Sequence, residues 1–161
     1  MRTSDPVVFQ KYEPGDYDAC LALFDANCPE FFAPNERADY RGFLDPSPDW
    51  YRLSVVAGHL VGAFGLDPAQ SALRWIMIHP DAQGRGIGSA IMEYVVDSAR
   101  KGGMSSISIA ASQKSAPFFE KLGAVETSIH ENGWGPGLDR IDMTLSIDTY
   151  HNEFVSRAPR P

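Results

Sequence analysis

Short runs of apolar residues, separated by turn residues, recur along the chain and predict strands. The clearest run covers residues 141–147, where apolar and polar positions alternate strictly. This period of two is typical of a strand with one buried face. The other runs of this kind are residues 7–12, 51–57, 60–66, 107–109 and 125–129.

A different pattern marks the middle of the chain. Residues 73–79 form an apolar run, which predicts a strand that is buried on both faces.

Gly58 and His59 separate two apolar runs and predict a hairpin turn. Glycines recur over residues 131–139, and we expect a loop there, before the last strand.

Apolar residues at helical spacing predict four helices. These cover residues 17–27, 35–45, 87–101 and 115–122. Asn35 is the expected N-cap of the second helix, and Pro46 ends that helix. The element order β-α-α-β-β-β-α-β-α-β-β predicts an α/β fold, with a mixed, largely antiparallel sheet and at least one parallel crossover.

Length and composition are those of one globular domain. The chain has 161 residues, of which 43% are hydrophobic and 22% are charged, so it can bury one substantial core. We expect one domain over residues 1–148. The remaining residues, 149–161, have no clear pattern and are expected to form a mobile C-terminal tail.

Net charge and hydropathy indicate which classes of partner the protein is not expected to bind. A formal net charge of −7 disfavours nucleic acid, and no apolar run approaches the length of a membrane helix. The polar N-terminus and two cysteines outside any CxxC pair predict a cytoplasmic protein with reduced thiols. His130 and His151 lack partners at metal-ligand spacing, so we expect no metal.

A glycine-rich turn at residues 83–88 joins the apolar run to the third helix. The first turn of a helix exposes unpaired N–H groups at the positive end of its macrodipole. Glycines at positions 84, 86 and 88 let an anion approach the backbone, which predicts a phosphate site. The spacing fits neither the dinucleotide-binding GxGxxG motif nor the P-loop, which needs Gly-Lys-Ser/Thr.

Two motifs resemble those of the GNAT superfamily of acetyl-CoA-dependent N-acetyltransferases. Gln83-x-x-Gly86-x-Gly88, after a hydrophobic strand that ends in His79-Pro80, is similar to the family's pyrophosphate-binding motif. Residues 115–124, SAPFFEKLGA, are similar to its helix-four signature. The resemblance covers about residues 6–147 and implies a single-domain GNAT-like sheet, with a splayed parallel strand pair and about four flanking helices.

The resemblance also implies where acetyl-CoA binds. Amides of the glycine turn hold the pyrophosphate, a strand backbone pairs with the pantetheine arm, and the fourth helix flanks the sulfur end. The residues implied in cofactor binding are Ile76, Met77, Ile78, Gln83, Gly84, Arg85, Gly86, Ile87, Gly88, Ser89, Ser112, Phe118 and Phe119.

The family reaction, as the resemblance implies it, is direct attack of an amine on the thioester. An alkylamine with a pKa of about 10.4 is mostly protonated at pH 7, so a base helps. The family's usual acid is a tyrosine, but this chain has Phe119 there, which cannot donate a proton. Ser112 and Ser115 are the replacement candidates, and Glu30 is the candidate base.

The acceptor is expected to be a primary amine of a small molecule or a peptide. Its candidate contacts are Glu30, Phe31, Phe32 and Trp134. Phe119 keeps two alternatives open, a CoA-binding sensor or partner module with little catalysis, and transfer of a longer acyl chain. The alternating last strand and the tail could support a homodimer.

Overall fold

The computed structural model describes residues 5–152, which form one seven-stranded mixed sheet with four helices. The strands are β1 (Val7–Lys11), β2 (Tyr51–Val56), β3 (His59–Asp67), β4 (Ala72–Ile78), β5 (Ser106–Ala111), β6 (Val125–Gly135) and β7 (Leu138–Ser146). The helices are α1 (Tyr17–Ala26), α2 (Glu36–Leu44), α3 (Ile87–Lys101) and α4 (Ala116–Lys121). The predicted element order and the mixed α/β class are confirmed.

The sheet order is β1-β2-β3-β4-β5-β7-β6, and every neighbouring pair is antiparallel except β4 and β5. The parallel pair is short, because only Ala72 and Leu73 of β4 register with Ser108 and Ile109 of β5. Beyond these pairs the two strands splay apart. Their facing backbone edges are therefore left open in the middle of the sheet, where a strand would otherwise be fully paired.

Two hydrophobic clusters hold the helices to opposite faces of the sheet. Consecutive residues of β3 show the division, since Ala63 packs with α1 and α2 whereas Phe64 packs with α3 and α4. This follows from the strand period of two. The helix α3 contributes most to its cluster because its apolar residues recur on one face, from Ile87 to Ala99.

A β-bulge distorts β4 beside the splay. Ala63 pairs with Met77 and Gly65 pairs with Arg74, so two residues of β4, Trp75 and Ile76, lie opposite one residue of β3. Trp75 has a φ of 48°, in the left-handed region that a large side chain rarely adopts. The expectation that β4 is buried on both faces is wrong. Within it only Leu73 and Met77 are buried, because the splay opens one edge to a cavity.

The expected glycine-rich loop at residues 131–139 is also wrong. The structure extends β6 to Gly135 and starts β7 at Leu138, with register shifts between them. Asn132 makes this hairpin possible, with a φ of 54° and a side-chain oxygen that accepts from the N–H of Gly137 at 2.7 Å. The glycines thus serve an irregular hairpin and not an open loop.

The start of the expected tail packs against the domain. The Tyr150 hydroxyl donates to Glu93 at 2.8 Å, and Asn152, which is buried, donates to the Ser89 carbonyl at 3.1 Å. Residues 149–152 therefore belong with α3, whereas residues 153–161 lie outside the described part of the chain. No helix within residues 5–152 is both long enough and apolar enough to span a membrane.

Candidate active site

A cavity of about 710 Å³ lies at the splay between β4 and β5. Its walls come from the open edges of both strands, the turn before α3, the start of α4, the α1–α2 loop and the β6–β7 hairpin. The cavity therefore joins the predicted phosphate turn to the predicted acceptor loops. Because the sheet is open here, unpaired backbone groups of β4 and β5 border the cavity.

The glycine turn leaves the start of α3 free for an anion. Gly84 and Gly86 have φ values of 79° and 81°, which only glycine adopts without strain. Gly86 is the N-cap residue and supplies no side-chain cap, and the first turn of α3 contains no acidic residue. The N–H groups of this turn therefore keep their hydrogen-bonding capacity at the positive end of the macrodipole.

The start of α4 closes the same end of the cavity. The Phe118 and Phe119 rings pack edge to face with centroids 5.1 Å apart, and Phe119 is buried. The Ser115 Oγ accepts from the Ser112 N–H at 3.0 Å, and the Ser112 Oγ accepts from the Lys114 N–H at 3.1 Å. Both hydroxyls serve as acceptors for backbone groups, so each keeps its own proton available to donate.

Aromatic side chains form the opposite end of the cavity. Phe32 and Trp75 stack with ring centroids 5.9 Å apart, and Phe31 lines the cavity beside them. Trp134 comes from the β6–β7 hairpin, where its indole N–H donates to the Ala111 carbonyl at 2.9 Å. The Trp134 carbonyl accepts from the Asn35 side chain at 2.9 Å, so Asn35 ties the hairpin to the α1–α2 loop. Asn35 makes no side-chain cap for α2, contrary to expectation.

Two buried tyrosines fix the bulge in β4. The Tyr51 hydroxyl donates to the Trp75 carbonyl at 2.7 Å and lies 2.9 Å from the Tyr40 hydroxyl. Burial raises the pKa of both phenols well above the usual value, so both stay protonated. Tyr40 can therefore donate to Tyr51 while Tyr51 donates to Trp75, and this chain holds the strained peptide in place.

A buried carboxyl group lies at the aromatic end. Glu36, the first residue of α2, is 4% exposed and lines the cavity. Its Oε2 accepts from the Ala33 N–H at 2.8 Å. Burial raises the Glu36 pKa to about 7, against the opposing effect of that hydrogen bond, and the charge of Asp39 adds to the rise.

A protein-family model described as the acetyltransferase (GNAT) family matches residues 17–124. This match covers more than half of the chain, and the fold agrees with it. The chain belongs to the GNAT acetyltransferase family. No curated relative matches the sequence.

Solved structures of GNAT acetyltransferases share this fold at low sequence identity. The ribosomal-protein-S18-alanine N-acetyltransferase from Escherichia coli is 18% identical with a TM-score of 0.72, over 88% of this chain and 94% of that one. Ard1 from Thermoplasma volcanium is 17% identical with a TM-score of 0.72, over 87% and 97% of the two chains. An aminoglycoside 6'-N-acetyltransferase in complex with coenzyme A is 16% identical with a TM-score of 0.66, over 96% of this chain and 99% of that one.

The cavity of this GNAT protein gathers most of the residues that the sequence singled out. Those that line it are Phe31, Phe32, Ile76, Met77, Ile78, Gln83, Gly84, Gly86, Ile87, Gly88, Ser89, Ser112, Ser115, Phe118, Phe119 and Trp134. Two do not line it. Arg85 is exposed on the outside of the turn, and Glu30 is exposed on the α1–α2 loop.

Glu36 and Asn27 also line the cavity at its aromatic end, although no sequence pattern indicated either residue. A glutamate in the first turn of a helix is ordinary, because it favours the positive end of the macrodipole. Its burial depends on how α2 packs beside β4, which no local pattern reveals. Glu30, six positions earlier, is the nearest signal in the sequence, because it lies in the loop that leads into α2.

Proposed function

We propose that the protein transfers an acetyl group from acetyl-CoA to a primary amine of a small molecule or a peptide. The observation that carries this proposal is the cavity at the splayed strands, which joins the glycine turn before α3 to an aromatic pocket. The coenzyme A in the aminoglycoside 6'-N-acetyltransferase structure supports acetyl-CoA as the donor, because that protein shares the fold.

The residues at one end of the cavity fit an acyl-CoA. The uncapped start of α3 and the glycines before it suit a pyrophosphate. The open edge of β4 from Ile76 to Ile78 suits an extended arm with amide groups, which could pair with it as a strand. Acetyl-CoA supplies a thioester carbonyl to the acceptor amine, and the chain supplies position, a dry aromatic wall and proton transfer.

The proton for the leaving sulfur is assigned to Ser112 or Ser115. Phe119 cannot supply it, and both serine hydroxyls line the cavity with a free proton. If either serine serves, through a water or directly, its alanine variant should lower kcat by about 100-fold or more, since general acid catalysis contributes about 10²- to 10⁴-fold.

A direct test is turnover of acetyl-CoA against a panel of primary amines, with released thiol as the readout and hydrolysis without amine subtracted. A Gly86→Trp variant fills the turn before α3, and its unfolding curve shows whether it still folds. We expect amine-dependent thiol release in the wild-type protein and none in a folded Gly86→Trp variant. Absence of acetyl-CoA binding in the wild-type protein would overturn the proposal.

A second candidate function is a CoA-binding sensor with little catalysis. Phe119 favours it, because the position lacks the family's usual proton donor. Tight acetyl-CoA binding without turnover on any amine would favour this second function over the first.

A further inference from the structure

Two oxygen atoms at the aromatic end of the cavity lack a protein donor. Glu36 uses Oε2 to accept from Ala33, and Asn27 uses its amide nitrogen to donate to Leu23 at 2.9 Å. Neither Oε1 of Glu36 nor Oδ1 of Asn27 has a donor among residues 5–152. In that part of the chain Ser54 Oγ is the one fully buried side-chain polar atom without a partner. The two oxygens are therefore still accessible from the cavity that both residues line.

The surroundings of these oxygens are apolar and aromatic. Phe31, Phe32 and Trp75 line the cavity near the α1–α2 loop, and Met77 follows on β4. Such walls bind the apolar body of a ligand and attract a cation over their ring faces. A carboxylate and an amide oxygen among aromatic rings suit a protonated amine, which brings three N–H donors.

We propose that Glu36 binds the ammonium group of an aromatic or apolar primary amine and removes its proton for acetyl transfer. This assignment rests on the proposed function, because Glu36 lies at the proposed acceptor end of the same cavity. It replaces Glu30, which the sequence favoured and which the structure leaves exposed outside the cavity.

The proton balance of the step is simple. The carboxylate of Glu36 takes one proton from the ammonium nitrogen, which leaves a neutral amine with a free electron pair. That pair forms the C–N bond with the acetyl carbonyl carbon of acetyl-CoA while the C–S bond breaks. The sulfur leaves as coenzyme A, and the second nitrogen proton ends on the thiol or in solvent.

Charged and titratable groups around Glu36 set the pH range of this step. Asp39 on the same helix acts on Glu36, and Glu36 in turn acts on Cys28 of the preceding loop. Arg74, Lys114 and Arg140 line other parts of the same cavity. Arg74 is paired with Asp67 at 3.2 Å and Arg140 with Asp142 at 2.8 Å, so their charges are largely offset. With a pKa of about 7, Glu36 is ionised above neutral pH and can accept a proton there.

The first test is binding of 2-phenylethylamine to the full chain without acetyl-CoA, by calorimetry at pH 8 and pH 5.5. A Glu36→Gln variant keeps an oxygen for the Ala33 N–H but has no charge. We expect the variant to bind the amine about 10- to 100-fold more weakly at pH 8, as for loss of a hydrogen bond to a charged group. The difference should fall to about fourfold or less at pH 5.5, where the wild-type carboxyl of the free protein is protonated. Equal binding of the two proteins at pH 8 would overturn the assignment.

Carboxyl carbon NMR gives a readout that does not depend on turnover. The Glu36 resonance, identified by its absence in the variant, should titrate near neutral pH in the wild-type protein. The addition of 2-phenylethylamine should move that titration to lower pH, because the ammonium group favours the charged carboxylate. A titration midpoint that the amine leaves unchanged would contradict contact between the two groups.

Two further variants separate Glu36 from its competitors in turnover of 2-phenylethylamine. Glu126→Gln removes an exposed carboxylate of β6 that does not line the cavity and should leave the pH profile of kcat/KM unchanged. Glu30→Gln should also leave it unchanged, whereas Glu36→Gln should abolish the rise of kcat/KM around pH 7. A loss in Glu30→Gln and not in Glu36→Gln would return the role to Glu30.

Binding of acetyl-CoA and binding of the amine separate the role of Glu36 from the proposed function. Wild-type protein that binds acetyl-CoA and acetylates other amines, but does not bind 2-phenylethylamine, would overturn the aromatic acceptor alone. Wild-type protein that binds no acetyl-CoA would overturn the proposed function, whatever the amine does.

Discussion

Glu36 lies in an environment unlike that of an acidic residue on an exposed helix face, where water solvates the carboxylate. It is buried, has one backbone donor, and lies near Asp39 on the same helix. Each of these features except the hydrogen bond disfavours the charged form. A protein that keeps such a group gives up stability at neutral pH, which is common where a residue serves chemistry.

The pH dependence of unfolding should show this cost. Because the folded-state pKa of Glu36 is raised from 4.5 to about 7, the folded state binds its proton more tightly than the unfolded chain. The stability from this group is fully present below pH 4.5 and is lost as pH rises through 7. We expect Glu36→Gln to be more stable than the wild-type protein at pH 8 by about 2 to 3 kcal/mol, and nearly equal at pH 4.5.

Urea unfolding at the two pH values measures this difference. Glu126→Gln, which removes an exposed carboxylate, should stay within about 0.5 kcal/mol of the wild-type protein at both values. A constant difference between Glu36→Gln and wild type at both pH values would show that the Glu36 carboxyl is not perturbed.

At the same scale, sequence reasoning found residues whose role depends on backbone geometry. Gly86 was predicted from the joint between an apolar run and a helix, and the structure gives it a positive φ. Glu36 could not be found in this way, because its burial arises from contacts between α2, the preceding loop and β4. The sequence favours Glu30 instead, because it shows which acids lie in a loop and not which of them is covered.

The element that organises the proposed donor end of the cavity is α3, with the turn before it. Its last glycine, Gly88, lies inside the helix, where a Cβ atom would meet Phe118 at 3.1 Å and Ile78 at 3.3 Å. Gly84 differs, because it has a φ of 79° and open space around it. Gly88 is therefore needed for close side-chain packing, whereas Gly84 is needed for a positive backbone φ.

Alanine at these two positions should have opposite signatures. Gly88→Ala pushes on two side chains of the cavity wall but gains helix propensity, so we expect acetyl-CoA affinity to fall about tenfold with little change in stability. Gly84→Ala meets no atom but strains its φ, so the free energy of unfolding should fall by about 1 kcal/mol. Calorimetric titration and urea unfolding of both variants separate the two effects. Identical behaviour of the two variants would contradict the distinction.

The β6–β7 hairpin is the element that sequence reasoning misjudged. Its glycines favoured a loop, but Asn132 closes an irregular hairpin that carries Trp134 over the cavity. Local pattern could not indicate this, because the contact that orients the hairpin, from Asn35 to the Trp134 carbonyl, joins residues 99 positions apart.

Removal of that contact should affect the acceptor more than the donor. In Asn35→Ala the hairpin loses its tie to the α1–α2 loop, so we expect KM for the amine to rise several-fold while KM for acetyl-CoA stays constant. Thr127→Ala removes a hydrogen bond to the Asp142 carbonyl farther along the same strand and is the matched control. Steady-state kinetics with each substrate varied in turn gives both constants. Equal increases in both KM values would indicate a general loss of structure.

At the scale of the whole molecule, all seven strands belong to one sheet, but hydrogen-bonded pairing across its middle is nearly interrupted. The halves β1–β4 and β5–β7 meet through two registered residue pairs, while α3 and α4 pack across the cluster beneath. The mixed sheet and its parallel pair could be predicted from element order. The extent of the splay could not, because it depends on where pairing stops and not on which residues favour strands.

Acetyl-CoA should bridge these halves. We expect it to slow hydrogen exchange of amides at residues 75–78 and 110–111 by up to about 100-fold at 100 times Kd, since ligand binding stabilises the folded, exchange-protected form by mass action. Amides in the β6–β7 pair should change least. Exchange mass spectrometry with and without acetyl-CoA, repeated on Gly86→Trp, measures this. Uniform protection across the sheet would contradict a bridge at the splay.

The two ends of the cavity differ in whether main-chain groups or side chains form them, and this difference bears on how related sequences can diverge. The donor end relies on main-chain groups, the open edge of β4 and the bare start of α3, which most substitutions leave in place. The proposed acceptor end relies on side chains, such as Phe31 and Phe32 of the α1–α2 loop and Trp134 near the end of β6. A lineage of such proteins can therefore exchange one amine for another by single substitutions while it inherits the acyl donor unchanged.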